Sequence, residues 1–107
     1  MRKVSITPEA VRLVERTAAW FETEQGPGFV PVIMWVASST ADPRMVPHLG
    51  LGFERREAVD RSRIMQCEGE DVEIFQYAPD ELFQPEGRKH VDVRSDALVI
   101  VDTPAGP

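Results

Sequence analysis

Nine consecutive residues without a polar side chain, Phe29 to Ala37, constrain this chain more than any other stretch. The run is short and rich in β-branched and aromatic residues. Gly26, Pro27 and Gly28 bound it on one side, and Ser38, Ser39 and Thr40 on the other. That pattern predicts a strand buried on both faces, with the Trp35 ring in the core. Withdrawing Phe29, Val32, Ile33, Met34, Trp35 and Val36 from water contributes roughly 1.5–3 kcal/mol each, as an upper bound. Pro31 cannot donate to a ladder, so the strand is expected to be irregular, or at a sheet edge, at its beginning and regular from Val32 to Ala37.

The remaining segments are expected to pack on this strand. Val4 to Ile6 suits a short strand, and Thr7-Pro-Glu9 has the chemistry of a helix start: a hydroxyl N-cap, proline in the first turn and a carboxylate at the positive helix end. A helix is expected over about Pro8 to Thr23, with Val11, Val14, Ala18 and Phe21 on its packing face, flanked by Ala10, Leu13 and Trp20. Glu22 and Glu24 oppose the helix dipole, so fraying is expected before Gly26. Ser38 to Gly50 has two prolines and no period, which predicts a long loop. Leu51 to Val59 reads as a strand. Ile64–Cys67 and Asp71–Tyr77 read as a hairpin around Glu68-Gly69, since glycine takes a positive φ without steric cost. Ala78 to Gln84 suits one helical turn, His90–Arg94 an alternating strand, and Ala97–Val101, apolar on both faces, a central strand. Residues 102–107 read as a flexible tail.

A chain of 107 residues has room for one core and one domain. The formal charge of −6 opposes binding to nucleic acid and to anionic membranes. Nothing approaches the roughly 18 apolar residues of a membrane span, and no apolar signal-peptide stretch follows Met1. The lone Cys67 excludes an intramolecular disulfide. The expectation is a soluble, cytoplasmic protein with no cofactor, no nucleic-acid partner and no membrane partner.

The chemistry-bearing residues are sparse. His48 and His90 lie far apart, and no paired Cys/His spacing predicts a metal site. Cys67 qualifies as a nucleophile only if a base lies beside it, and His90 is the one histidine on a neighbouring strand. Glu68, Glu70, Asp71 and Glu73 lack the alternating ligand pattern of a calcium loop and read as a solvated hairpin tip. Arg55, Arg56, Arg61 and Arg63 are interleaved with Glu54, Glu57 and Asp60, which predicts cross-strand ion pairing rather than a basic patch.

The order of elements carries one resemblance. A short strand leads through Ile6-Thr-Pro-Glu-Ala-Val11 into a helix, followed by the apolar strand, a Gly50-Leu-Gly-Phe53 strand and the Glu68-Gly69 hairpin before the terminal strands. This order resembles the HesB-like family of A-type iron–sulfur carriers. The resemblance implies an α+β fold, a compact mixed β-sandwich or pseudobarrel with one N-terminal helix packed on it. In that family one cysteine follows the strand after the helix and two more lie in a glycine-flanked C-terminal tail, where the thiolates hold iron or a cluster. Here Ser38-Ser39-Thr40 follows the apolar strand, and the chain stops at Thr103-Pro-Ala-Gly-Pro107, about where the cysteine tail would begin, so none of the three ligands is expected to have a counterpart.

The reading is therefore a HesB-like-fold protein without iron–sulfur chemistry, acting as a small binding or protein-interaction module. Two alternatives remain open: a small thiol enzyme using Cys67, and an acidic inhibitor of a basic partner. Binding, if present, is expected on the Ser38–Gly50 loop, through Arg44, Met45 and His48.

Overall fold

The computed structural model of the chain describes residues 3–37, 46–85 and 87–103. Strand β1 (Ser5–Ile6) leads into helix α1 (Pro8–Gln25), followed by β2 (Phe29–Val36), β3 (His48–Arg55), β4 (Ile64–Cys67), β5 (Glu70–Gln76), β6 (Lys89–Arg94) and β7 (Ala97–Asp102). Short 3₁₀ turns occupy Arg56–Ala58, Arg61–Arg63 and Asp80–Phe83. The strands form one mixed sheet in the order β3-β2-β5-β4-β1-β6-β7. Its two edge strands, β3 and β7, contact one another without pairing, so the sheet is curled. The architecture is α+β, one helix packed on a curled sheet.

Helix α1 starts as its sequence dictates. Thr7 is extended, and its side-chain oxygen accepts from the Ala10 N–H at 3.3 Å, while Pro8 needs no amide partner in the first turn. The helix does not fray at Thr23. It continues to Gln25, where Gly26, at φ +87°, donates its N–H to the Glu22 carbonyl at 2.8 Å. Phe21 holds this end down by stacking on Phe53 at 4.0 Å and meeting the Phe29 edge at 5.2 Å. Ala10, Val11 and Val14 are buried against the sheet, but Trp20 is 62% exposed and lies off the packing face.

The core divides between the two faces of β2. Ile33 packs with Ile6, Val14, Met65, Ile74 and Val91 beneath the helix, whereas Val30 and Val32 pack on the opposite face with Phe75, covered by Val59 and Ile64. That outer cover ends before Met34, which is exposed, and Trp35 is only partly buried. Full burial on both faces therefore fails in the second half of the strand. Facing β3 offers no side chains there: Val36 lies over Gly50, and Met34 over Gly52. At Pro31 the strand is a local edge. The Ile33 carbonyl accepts from the Tyr77 N–H on the β5 side, so Pro31, two residues earlier, also faces that side, where pairing with β5 begins only at Val32.

Three other boundaries differ from expectation for physical reasons. His48, Leu49 and Gly50 belong to β3 because they extend its ladder with Val36, Trp35 and Met34. The same strand stops at Arg55 instead of reaching Val59. The Arg56 N–H makes a 3.0 Å bond to the Gly28 carbonyl, after which the partner chain turns away. Strand β7 is an edge rather than central. Its apolar residues are used by the curl, with Leu98 buried and Ile100 packed on the inner core. It also retains Asp102, paired with Lys89, and Thr103 donates its N–H to the Arg88 carbonyl at 2.7 Å, so the ordered chain reaches past the expected start of the tail.

Candidate functional site

The site grows out of the shortest strand. β1 lies parallel to both neighbours, with Ser5 in register with Gln66 of β4 and with His90 of β6. Ile6 and Val91, the next pair, are buried in the core, so by strand alternation Ser5, Gln66 and His90 share the opposite face. Because β1 is only two residues long, the β4–β5 hairpin and the start of β6 stand out beyond it. Between them, roofed in part by Phe83 and Gln84, lies a cavity of about 480 Å³.

Its two lysines, Lys3 and Lys89, are fixed by pairing. Lys3 binds both Asp71 oxygens at 2.9 and 3.0 Å, and Gln66 donates to the same carboxylate at 3.2 Å. These bonds hold the Asp71 carboxyl below the usual carboxylate range, the Lys3 bond being the largest cause. Lys89 lies 2.6 Å from Asp102 and lowers that carboxyl in the same way. His90 Nδ1 is 2.9 Å from the Thr103 hydroxyl, which fixes the ring at the cavity wall.

A second cleft of about 330 Å³ adjoins the first through Lys3, Val4 and Asp80. Arg63 crosses it, donating to the Gln76 backbone carbonyl at 3.1 Å and lying 5.6 Å above the Tyr77 ring. Asp60 accepts from the Ser62 N–H at 3.0 Å and from the Ser62 hydroxyl at 2.7 Å, and these bonds lower its pKa. Two oxygens are left over. Gln76 is 3% exposed, and its side-chain Oε1 has no hydrogen-bond partner among the described residues. Asp80 Oδ1 is likewise buried and unbonded, because the nearest cation, Arg63 Nη1, stands 3.6 Å away, beyond hydrogen-bond reach.

The residues singled out from sequence are scattered by the fold. Arg44 and Met45 lie outside the described residues. His48 is exposed at the start of β3, with its ring Nδ1 2.8 Å from the Val46 carbonyl. Cys67 and His90 do not converge. Cys67 packs toward the inner core beneath the helix, whereas His90 points into the cavity on the other face. Burial pushes the Cys67 thiol up, and Glu68 and Glu9 add to the shift, which is the opposite of activation.

The arginines are engaged in pairs. Arg56 binds Glu73 at 2.9 Å, Arg61 lies 3.9 Å from the same carboxylate, and Arg55 stands over the Phe29 ring. Among the described residues no group of three His, Cys, Asp or Glu side chains could hold a metal ion, and no helix is long and apolar enough to cross a membrane. Sequence reasoning missed Ser5, Gln66 and Gln76. The available signal was an amide inside each of two apolar strand runs, Ile64-Met-Gln-Cys67 and Ile74-Phe-Gln-Tyr77. No protein-family model, curated protein or solved structure matches the chain.

Proposed function

We propose that this chain is a small-molecule binding module, built on a HesB-like order of elements and without iron–sulfur chemistry. The order strand, helix, long strand, glycine-containing strand and then hairpin supports the first part. A single cysteine among 107 residues supports the second. The observation that carries the binding function is the 480 Å³ cavity over β1, within the ~300–1,000 Å³ typical of ligand pockets. Among its polar groups, the Gln66 amide is tied to Asp71 and the His90 ring to Thr103, with Ser5 in register between them. Such groups orient a ligand without having to be ordered by it.

The test is an amide-resolved NMR screen of the full chain against a library of small polar metabolites. Saturable shifts are expected at Ser5, Gln66 and His90, and Ser5→Phe, which fills the cavity floor, should remove them. Shifts confined to β3, β7 or the Arg44–His48 region would overturn the assignment and return binding to the segment first expected from sequence.

A further inference from the structure

We infer that the groove along one edge of α1 docks a basic, extended segment of a partner protein, through two lysine or arginine side chains three residues apart. The groove measures about 380 Å³. It lies between α1 and the strands β2 and β5, floored by Ala18, Ala19, Pro31 and Val72, with Glu15 and Glu22 on its helical rim. Two local features open it. β2 and β5 pair only through Val32–Phe75 and Ile33–Gln76, because Pro31 has no N–H with which to carry the ladder on toward Phe29. Beside these unpaired ends α1 presents two alanines, where longer side chains would close the space. Ala18, Pro31 and Val72 are half-buried and Ala19 is exposed, so the floor is open to solvent.

The rim selects the occupant. Glu15 and Glu22 are seven residues apart, so they stand on one line of the helix about 10 Å from each other, with the two alanines between them. Both are exposed, and neither forms an ion pair among the described residues. The cation on the far wall does not neutralise them. Arg56 is held by Glu73 at 2.9 Å, and Arg61 lies 3.9 Å from the same carboxylate. An apolar floor below two unpaired carboxylates complements a lysine or arginine side chain, whose methylene stem lies on apolar surface while its charged head stays at the rim. An extended, polyproline-like segment turns once every three residues and rises about 9 Å per turn, so residues i and i+3 present two such side chains at nearly the carboxylate spacing. The formal charge of −6 steers a basic partner toward the chain.

The blocked tetrapeptide Lys-Pro-Pro-Lys places its lysines on one face, whereas its isomer Pro-Lys-Lys-Pro carries the same charge with the lysines on different faces. Titrating each into the full chain at low salt, followed by amide NMR, tests the inference. Lys-Pro-Pro-Lys is expected to shift Ala18, Ala19 and Val72 saturably, with at least about threefold higher affinity than its isomer. Glu15→Gln combined with Glu22→Gln, two exposed changes that keep helix propensity, should weaken it by roughly two- to thirtyfold, the range of two surface ion pairs. Glu24→Gln, on the opposite edge of α1, should leave it unchanged. Equal affinity for the isomer or for spermidine, or an equal loss in Glu24→Gln, would reduce the interaction to diffuse attraction by net charge. Shifts confined to Ser5, Gln66 and His90 would place the peptide in the cavity, and silence at millimolar peptide would leave the groove without a basic occupant. Each of these results overturns the inference. The groove is a different surface from the cavity over β1, so its failure leaves the small-molecule reading standing.

Discussion

Replacing Thr7 with valine keeps the shape of the side chain and removes a hydroxyl that works in two directions. That hydroxyl accepts from the Ala10 N–H as the helix N-cap and donates to Asp92 Oδ1 of β6 at 2.7 Å. Losing an N-cap costs about 1 kcal/mol, within a range of 0.5–2. The bond to a charged carboxylate is worth about 1.5–3 kcal/mol when well buried, and partial solvation at Asp92 brings it to about 1. The sum of about 2 kcal/mol corresponds to a fall in Tm of roughly 8–16 °C for a domain of this size.

The pH dependence separates the two parts. The Thr7 hydroxyl, followed by the Val93 N–H, holds the Asp92 carboxyl below its usual range. A lowered folded-state pKa stabilises the fold fully above the unfolded carboxylate value and loses that contribution as pH falls through the folded value. The penalty of Thr7→Val should therefore be largest near neutral pH. It should shrink below about pH 4 toward the cap contribution alone. Thermal unfolding by circular dichroism at neutral and acid pH, with Thr7→Ser as the control that retains the hydroxyl, measures both parts. A Tm within two or three degrees of wild type at neutral pH, or a penalty unchanged at acid pH, would refute the reasoning.

Phe75, fully buried between Val30, Val32 and the 56–64 segment, should be a costlier truncation than Trp35, which is only partly buried. Phe75→Ala is expected to lose about 3–5 kcal/mol in urea unfolding and Trp35→Ala less, and the reverse order would mean the two faces of β2 are misassigned. Cys67 should react slowly with Ellman's reagent at neutral pH and accelerate only above the ordinary thiol range, because burial raises its pKa. Labelling at the rate of free cysteine near pH 7 would place the thiol in solvent instead.

The helix was legible because its signals are local. The Thr7-Pro-Glu9 start, the three- and four-residue spacing from Val11 to Phe21 and the Gly26 stop all lie within one stretch of chain. The Glu68-Gly69 turn was legible for the same reason, with Glu68 at φ +54° and Gly69 at +83°. What the sequence hid was decided between distant segments. His48 to Gly50 has no strand pattern and becomes strand only because β2 is long enough to pair with it. Ala97 to Val101 has the composition of a central strand, yet sits at an edge that the curl brings against β3. The cavity depends on Ser5, Gln66 and His90 meeting across two parallel pairings, a juxtaposition that no spacing along the chain encodes.

The two residues of β1 have a mechanical consequence. They form the hydrogen-bonded seam between a four-stranded half, β3-β2-β5-β4, and the β6–β7 hairpin, and three registered residue pairs close it. Both halves can assemble from their own hairpins, but the seam joins residues more than sixty positions apart. It therefore closes late in folding, after the loop-closure entropy of most of the chain has been spent. Load applied at the N-terminus would separate β1 from both neighbours in a few steps, opening the cavity floor before α1 or either half of the sheet unravels.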